Sequence, residues 1–284
     1  YLWSKKICKN YNFENDDRVQ FFTRSDWIFY FLSKKRLKVI FECHQLSKIR
    51  KWVLKKSIKS NNSKVIFLNE ALLLDSGINK DKYEKNITII PNGVDVEFFS
   101  KNKKKNMNQI IFTGNLKRFN ENRNLNFVIN TFLNKKMPEQ YSFKVIGGPF
   151  NESEKLKSYI SEVGLNNKVE ILDRLSREST IKHIEKAGIG LLINSSNNLH
   201  SVKYSSPLKY FEYLFGELKI LAIDFPSHKT LPFSKNISFF NDGDEISFIT
   251  ALNNLNKIEA IKIKDLETIT MESRANKIVD FISS

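Results

Sequence analysis

The chain has 284 residues, of which 41% are hydrophobic and 27% charged, and carries a formal net charge of +15 at pH 7. This length buries one large core or two modest ones, two domains being the more usual partition, and no run of about 18 apolar residues is present to form a helical membrane span. Cys8 and Cys43 lack metal-ligand spacing and are too few for a disulfide scaffold, so they read as two reduced cytosolic thiols.

The first residue is Tyr1 rather than Met, and the stretch to Asn10 scatters lysines without an apolar h-region or a small-residue cleavage site. The expectation is a chain that lacks its natural start. Apolar, β-branched runs then alternate with amphipathic helical stretches, the pattern of parallel sheets covered by helices. The first strands are expected at Val19 to Thr23, Lys38 to Phe41, Lys64 to Leu68 and Ile87 to Ile90. Helices are expected between them near Trp27 to Leu32, Ser47 to Ser57 and Ala71 to Ser76. The turn Pro91-Asn92-Gly93-Val94-Asp95 and the polar stretch Ser100 to Asn108 follow, read as a turn and a flexible charged linker.

A second set of strands is expected at Gln109 to Thr113, Ser142 to Ile146, Val169 to Leu172, Ile189 to Ile193, Lys219 to Ala222 and Ile237 to Phe239. Six strands suffice for a complete nucleotide-binding domain, whereas the first set has four. Between the fourth and fifth of these strands lies Ser206 to Gly216, a segment with clear helix boundaries. Ser206 suits the N-cap, Pro207 the first turn, and Gly216 a left-handed close. Leu208, Phe211 and Phe215 at i, i+3 and i+7 define a core face, leaving Glu212 beside it, where a carboxylate can be aimed into a cleft.

The positive charge raises nucleic acid or an anionic membrane as partners. It is dispersed, and dense only at Lys34 to Lys38 and Lys101 to Lys105. The second cluster reads as solvated linker; for the first, a membrane-facing surface competes with a solvated one. No strand interleaving aromatic and basic residues and no recognition-helix signature accompany the charge, so no specific nucleic-acid partner is expected.

Several blocks together resemble the retaining glycosyltransferases of GT-B architecture, in particular family 4 of glycosyl transferases group 1. They are Ile89 to Phe99; Ile111-Phe112-Thr113-Gly114-Asn115-Leu116 with Arg123-Asn124; Phe143 to Gly148; Val169 to Leu172; the serine-proline helix; and Glu272 to Ile278. The resemblance implies an α/β fold with two Rossmann-like domains facing across a cleft, the N-terminal one incomplete. Residues 1–98 would form an acceptor-side domain, 99–267 a nucleotide-sugar-binding domain, and 268–284 a helix crossing back.

The implied activity is transfer of a sugar, with retention, from a nucleotide-diphosphate-sugar to a glycan or lipid-linked cell-envelope acceptor. The resemblance places the donor at Gly114, Asn115, Arg118, Gly147, Arg174, Leu175, Ser206, Pro207, Leu208, Lys209 and Glu212, with Arg123 and His44 as catalytic residues. Glu212 matches the second carboxylate of a Glu-x7-Glu motif and would accept hydrogen bonds from ribose hydroxyls. The first carboxylate is replaced by Tyr204, so that residue's sugar contact is not carried over. The base is expected near Asp173, Arg174 and Leu175, beyond a strand end. Gly147 and Gly148 fit either close approach to the donor or a strand-to-loop turn.

No Asp-x-Asp signature or His/carboxylate cluster at ligand spacing occurs, so no cofactor is expected and transfer should be metal-independent. The expected location is cytoplasmic, with peripheral contact to the anionic inner face of a membrane. A GT-B nucleotide-sugar epimerase and a basic nucleic-acid-binding protein remain as alternatives; the first needs an acid/base set in the cleft that the sequence does not display.

Overall fold

The computed structural model describes residues 1–10, 19–100, 104–118, 120–259, 261 and 263–284. The chain forms two compact units, Tyr1–Pro91 with Arg274–Ser284, and Asn92–Ser273. Residues 101–103 of the expected lysine-rich linker lie outside the described residues.

In the N-terminal unit, β1 (Phe21–Thr23), β2 (Val39–Cys43), β3 (Ser63–Phe67) and β4 (Ile87–Ile89) pair in chain order, all parallel. Every residue of β2 is buried, as expected of a strand covered on both faces. The connecting helices start where the sequence offers a cap. Ser25, Ser47 and Asn69 accept the amides of Ile28, Arg50 and Leu72 at 3.4, 3.1 and 2.9 Å. The helix Leu2–Asn10 was not among the expected elements. The terminal helix Met271–Ser283 lays Ile278, Phe281 and Ile282 on Ile40, Ile66 and Ile90 of this sheet region.

The C-terminal unit contains β5 (Asn106–Asn115), a short hairpin of β6 (Lys117–Arg118) and β7 (Glu121–Asn122), then β8 (Ser142–Gly148), β9 (Val169–Leu172), β10 (Ala187–Leu192), β11 (Lys219–Ile223) and β12 (Ile237–Phe240). Its main sheet is parallel in the order β9-β8-β5-β10-β11-β12. Numbered within the sheet, this is the doubly wound order 3-2-1-4-5-6, which reverses between β5 and β10. Alternating side chains feed two buried layers: Ile110 and Phe112 enter one with Leu191 and Phe248, while Ile111 enters the other with Leu192 and Phe211.

β5 begins at Asn106, three residues before the expected start, and the described ends of the linker are tethered rather than flexible. The Ser100 amide donates to Glu185 Oε1 at 2.5 Å, and Lys105 Nζ to the Gly216 carbonyl at 2.6 Å. Among the described residues no helix is long and apolar enough to cross a membrane.

Candidate functional site

In open parallel sheets, ligands bind beyond the carboxyl ends of the strands, where the order reverses. Here that place is bounded by Thr113-Gly114-Asn115 at the end of β5 and by Asn194, two residues beyond β10. The helix Leu208–Phe215 is fastened beside it. Gly190 on β10 allows the fit, because a Cβ there would stand 2.3 Å from the Tyr213 ring. The Tyr213 hydroxyl in turn accepts the Thr113 amide at 2.9 Å.

That helix differs from the expected one at both ends and in its buried face. Pro207, not Ser206, holds the N-cap position, and no side chain caps the helix. At the other end Gly216 has φ −72°, and Glu217 takes the left-handed conformation at φ 56°. The Leu218 amide reaches the Tyr213 carbonyl and the Glu217 amide the Leu214 carbonyl, each at 2.9 Å, a Schellman close with a non-glycine residue at C′. The buried face is Tyr210, Phe211, Tyr213 and Leu214, whereas Leu208 is 55% exposed. Three aromatic rings filling the layer beneath β5 and β10 outweigh the leucine at the solvent end. Glu212 does lie beside the buried face, with its side chain 17% exposed.

Three cations gather at this end of the sheet. The β6–β7 hairpin separates Arg118 from Arg123, whose amide donates back to the Leu116 carbonyl at 3.1 Å. Lys209 Nζ donates to the Thr113 carbonyl at 3.1 Å and lies 3.5 Å from the centroid of the Phe112 ring. Burial first, then repulsion from Arg118, lowers the Arg123 pKa to about 10. Burial, then Arg123 and Arg118, drives Lys209 well below the ordinary lysine range, with Glu212 partly offsetting them.

Orphaned polar atoms surround the same helix start. Arg123 donates to the buried Asn194 Oδ1 through Nη1, but its buried Nε has no partner. The buried Oγ atoms of Ser205 and Ser206 are also unpartnered. Native proteins leave few such groups, and those they leave call for a ligand or ordered water. An uncapped helix start, orphaned polar atoms and three clustered cations give this end of the sheet a character that suits an anion.

Glu212 stands one step further along. Burial raises its carboxyl pKa, against the pull of Arg177 and Lys209. Arg177 Nη2 lies 3.6 Å from Glu212 Oε1 and 3.9 Å from Asp95 Oδ2. Asn92 Nδ2 donates to the Ser206 carbonyl at 2.7 Å, tying the proline-asparagine-glycine turn to the segment before the helix.

The remaining expected residues take different parts. Gly114 has φ 118°, and the space around its missing Cβ is open. Gly147 serves strand packing, because a Cβ there would stand 2.0 Å from the Gly114 carbonyl oxygen. Arg174 donates to Asn115 Oδ1 at 2.6 Å, Leu175 packs partly buried against the layer containing Tyr210 and Phe211, and Asp173 pairs with Ser153 and Lys157. Tyr204 is buried, 6% exposed. His44 belongs to the N-terminal unit, where its Nε2 hydrogen-bonds Glu42 Oε1 at 2.6 Å.

Asn194, Tyr213 and Arg177 were not foreseen. The polar run from Asn194 to Asn198 directly after a buried apolar strand is the signal that marks the first; nothing in the spacing of the other two distinguishes them from ordinary helix residues. Among the described residues no group of three or more His, Cys, Asp or Glu side chains is placed to hold a metal ion.

No family model and no curated protein matches the chain. Solved structures do. A glycosyltransferase from Rickettsia africae superposes with TM-score 0.69 at 14% identity, over 99% of this chain and 79% of that one. HepE from Anabaena, in complex with UDP and glucose, gives TM-score 0.68 at 12% identity, over 99% of this chain and 81% of that one. Sucrose-phosphate synthase from Thermosynechococcus elongatus gives 0.67 at 12%, over 97% and 74%. The chain has the GT-B fold. Both GT-B units are Rossmann-like, and the anion place described above belongs to the C-terminal one.

Proposed function

We propose that the chain is a glycosyltransferase that takes a sugar from a nucleotide-diphosphate-sugar. The observation that carries this reading is the gathering of Arg118, Arg123 and Lys209, all depressed by burial and the last two also by neighbouring cations, near the uncapped start of the helix Leu208–Phe215. A diphosphate supplies the negative charge that such a cluster needs, and the helix amides add donors along the same axis. Glu212 is the ribose partner in this reading, releasing Arg177 as hydroxyls take its oxygens. Arg174 and Leu175 flank the base. HepE holds UDP, so UDP is the first nucleotide to try.

Bond cleavage leaves the electron pair of the anomeric C–O bond on the diphosphate. Arg118, Arg123 and Lys209 stabilise that charge as it develops, the term that usually contributes most to such catalysis. With no protein nucleophile assigned, we propose attack by the acceptor hydroxyl on the face the diphosphate leaves. The proton passes to a phosphate oxygen and configuration is retained. His44 is the proposed catalytic contribution of the N-terminal unit, its Nε2 fixed by Glu42 and its Nδ1 left for other partners. Membership of family 4, independence of metal, a cell-envelope glycan or lipid-linked acceptor and a cytoplasmic place of action belong to the same proposal. Two buried free cysteines accord with the last.

Calorimetry against a panel of nucleoside diphosphates and their sugars tests the reading. Micromolar binding of at least one diphosphate, lost in Arg123→Ala and Lys209→Met, is expected. Diphosphate release only in the presence of an acceptor separates transfer from epimerisation, which interconverts the donor sugar without release. Absence of binding by every nucleotide removes the reading.

A further inference from the structure

Glu121 stands where its charge has the wrong sign. The hairpin of β6 and β7 sets it directly opposite Arg118, and paired residues of an antiparallel ribbon project from the same face. Arg118 lies within electrostatic reach of both Arg123 and Lys209, so the face that carries Glu121 turns toward the anion place. The ribbon is anchored at its base. The Leu116 amide donates to the Gly148 carbonyl at 2.8 Å, the Arg123 amide to the Leu116 carbonyl at 3.1 Å, and Asn124 Nδ2 to Asp242 Oδ1 at 2.8 Å.

The carboxylate also spans the reversal of strand order. Glu121 follows β5 in the chain, whereas the Ser195 hydroxyl that donates to its Oε2 at 3.4 Å belongs to the loop after β10. Ser195 Oγ accepts the Asn197 amide at 3.2 Å, which orients its own proton toward Glu121. Asn194, next to it, is buried and engaged by Arg123. An ionised carboxylate only accepts hydrogen bonds, and phosphate oxygens are acceptors as well. Glu121 therefore repels the part of a ligand that Arg118, Arg123 and Lys209 attract. A ligand that carries hydroxyl donors next to its phosphates resolves this conflict.

We propose that Glu121, with Ser195, binds hydroxyls of the transferred sugar and selects a neutral sugar over a uronate. This inference rests on the reading of the anion place as a diphosphate site. In that reading Arg174 and Leu175, beyond β9, flank the base, and the phosphates lie at the reversal between β5 and β10. The sheet order β9-β8-β5-β10 then puts the sugar on the β10 side, where Glu121 meets Ser195. Glu212, 3.6 Å from Arg177, is the ribose partner and is not available to the sugar. A uronate would set a second carboxylate against Glu121, and like charges juxtaposed in a binding site oppose association.

The test is calorimetry of the full chain with UDP, GDP, ADP and dTDP. Glucose, galactose, mannose, N-acetylglucosamine and glucuronate conjugates of whichever diphosphate binds follow. At least one neutral conjugate should bind about tenfold or more weakly to Glu121→Ala than to the wild type. The bare diphosphate should bind that variant as tightly as the wild type or more tightly, because a repelling charge is gone. Glu121→Gln should bind the glucuronate conjugate more tightly than the wild type does. A carboxylate that served only to fix the hairpin would, on removal, weaken diphosphate and conjugate alike. Failure of the wild type to bind any diphosphate overturns the donor reading and this proposal with it. A bound diphosphate with no neutral conjugate weakened in Glu121→Ala overturns this proposal alone, as does a diphosphate weakened as much as its conjugate.

Discussion

Lys209 is the residue on which the proposed chemistry can be probed most directly. Burial, then Arg123 and Arg118, keep its ammonium well below the ordinary range, with Glu212 pulling the other way. An anion arriving beside it favours the protonated form and raises that depressed value. Diphosphate binding should therefore take up protons, and affinity should fall as pH rises through the unliganded value; calorimetry in buffers of different ionisation enthalpy measures both. Glu212→Ala should weaken nucleotide binding by roughly 10-fold or more, since hydrogen bonds to a charged group contribute about 1.5–3 kcal/mol, while leaving the melting temperature nearly unchanged. Calorimetric affinity equal to that of the wild type would remove Glu212 from the site. The resemblance named Arg118, Arg123, Lys209 and Glu212, and the fold brings the other three within electrostatic reach of Lys209. Arg177 was not legible in the sequence, because its position at the start of a helix is ordinary and only the fold brings it 3.6 Å from Glu212.

At the scale of elements, close approaches decide which substitutions the sheet tolerates. Gly147→Ala on β8 sets a methyl group 2.0 Å from a carbonyl of β5, so the two strands must part at the site. A loss of about 1–3 kcal/mol is expected from this overpacking, measured by chemical denaturation of the C-terminal unit. In the N-terminal unit, buried Glu42 accepts from Arg274 of the terminal helix at 3.1 Å and from His44 at 2.6 Å. Burial alone would raise its carboxyl pKa, but the His44 hydrogen bond and the charges of Arg274, His44 and Arg24 bring it below the ordinary 4.5. The folded value lies under the unfolded one, so this stabilisation is complete above the unfolded value and is lost as pH falls through the folded one. Glu42→Gln, which leaves Arg274 buried without its counter-charge, should cost about 3 kcal/mol at pH 7, and the difference from wild type should shrink in acid. All ten main-sheet strands were readable from β-branched runs, with ends shifted by up to three residues, as Val169–Leu172 and Asn106–Asn115 illustrate. The hairpin at Lys117–Asn122 was not, since two-residue strands carry no periodicity.

For the molecule as a whole, the parallel sheets of both units were expected from the alternation of strand and helix patterns and their Rossmann-like form from the resemblance, whereas the strand order of the C-terminal unit is a finding of the structure. The closing of the helix Leu208–Phe215 was misread because a glycine at its end suggested a left-handed turn, whereas Gly216 instead fits closely against Ile184. A saturating diphosphate should stabilise the folded chain by about 2.7 kcal/mol at a hundred times its Kd, seen as a rise in the first melting transition that unfolds the C-terminal unit. The place where β5 meets β10 carries a consequence for how that ligand is acquired. β5 ends at Asn115 and β10 begins at Ala187, with β8, β9 and their helices in between. The two walls of the anion place are therefore separated along the chain by half a domain, and joining them is a long-range closure that comes late in folding. A nascent chain that has emerged only through β9 holds Arg118 and Arg123 but neither Asn194 nor Lys209, so nucleotide can reward only the finished domain.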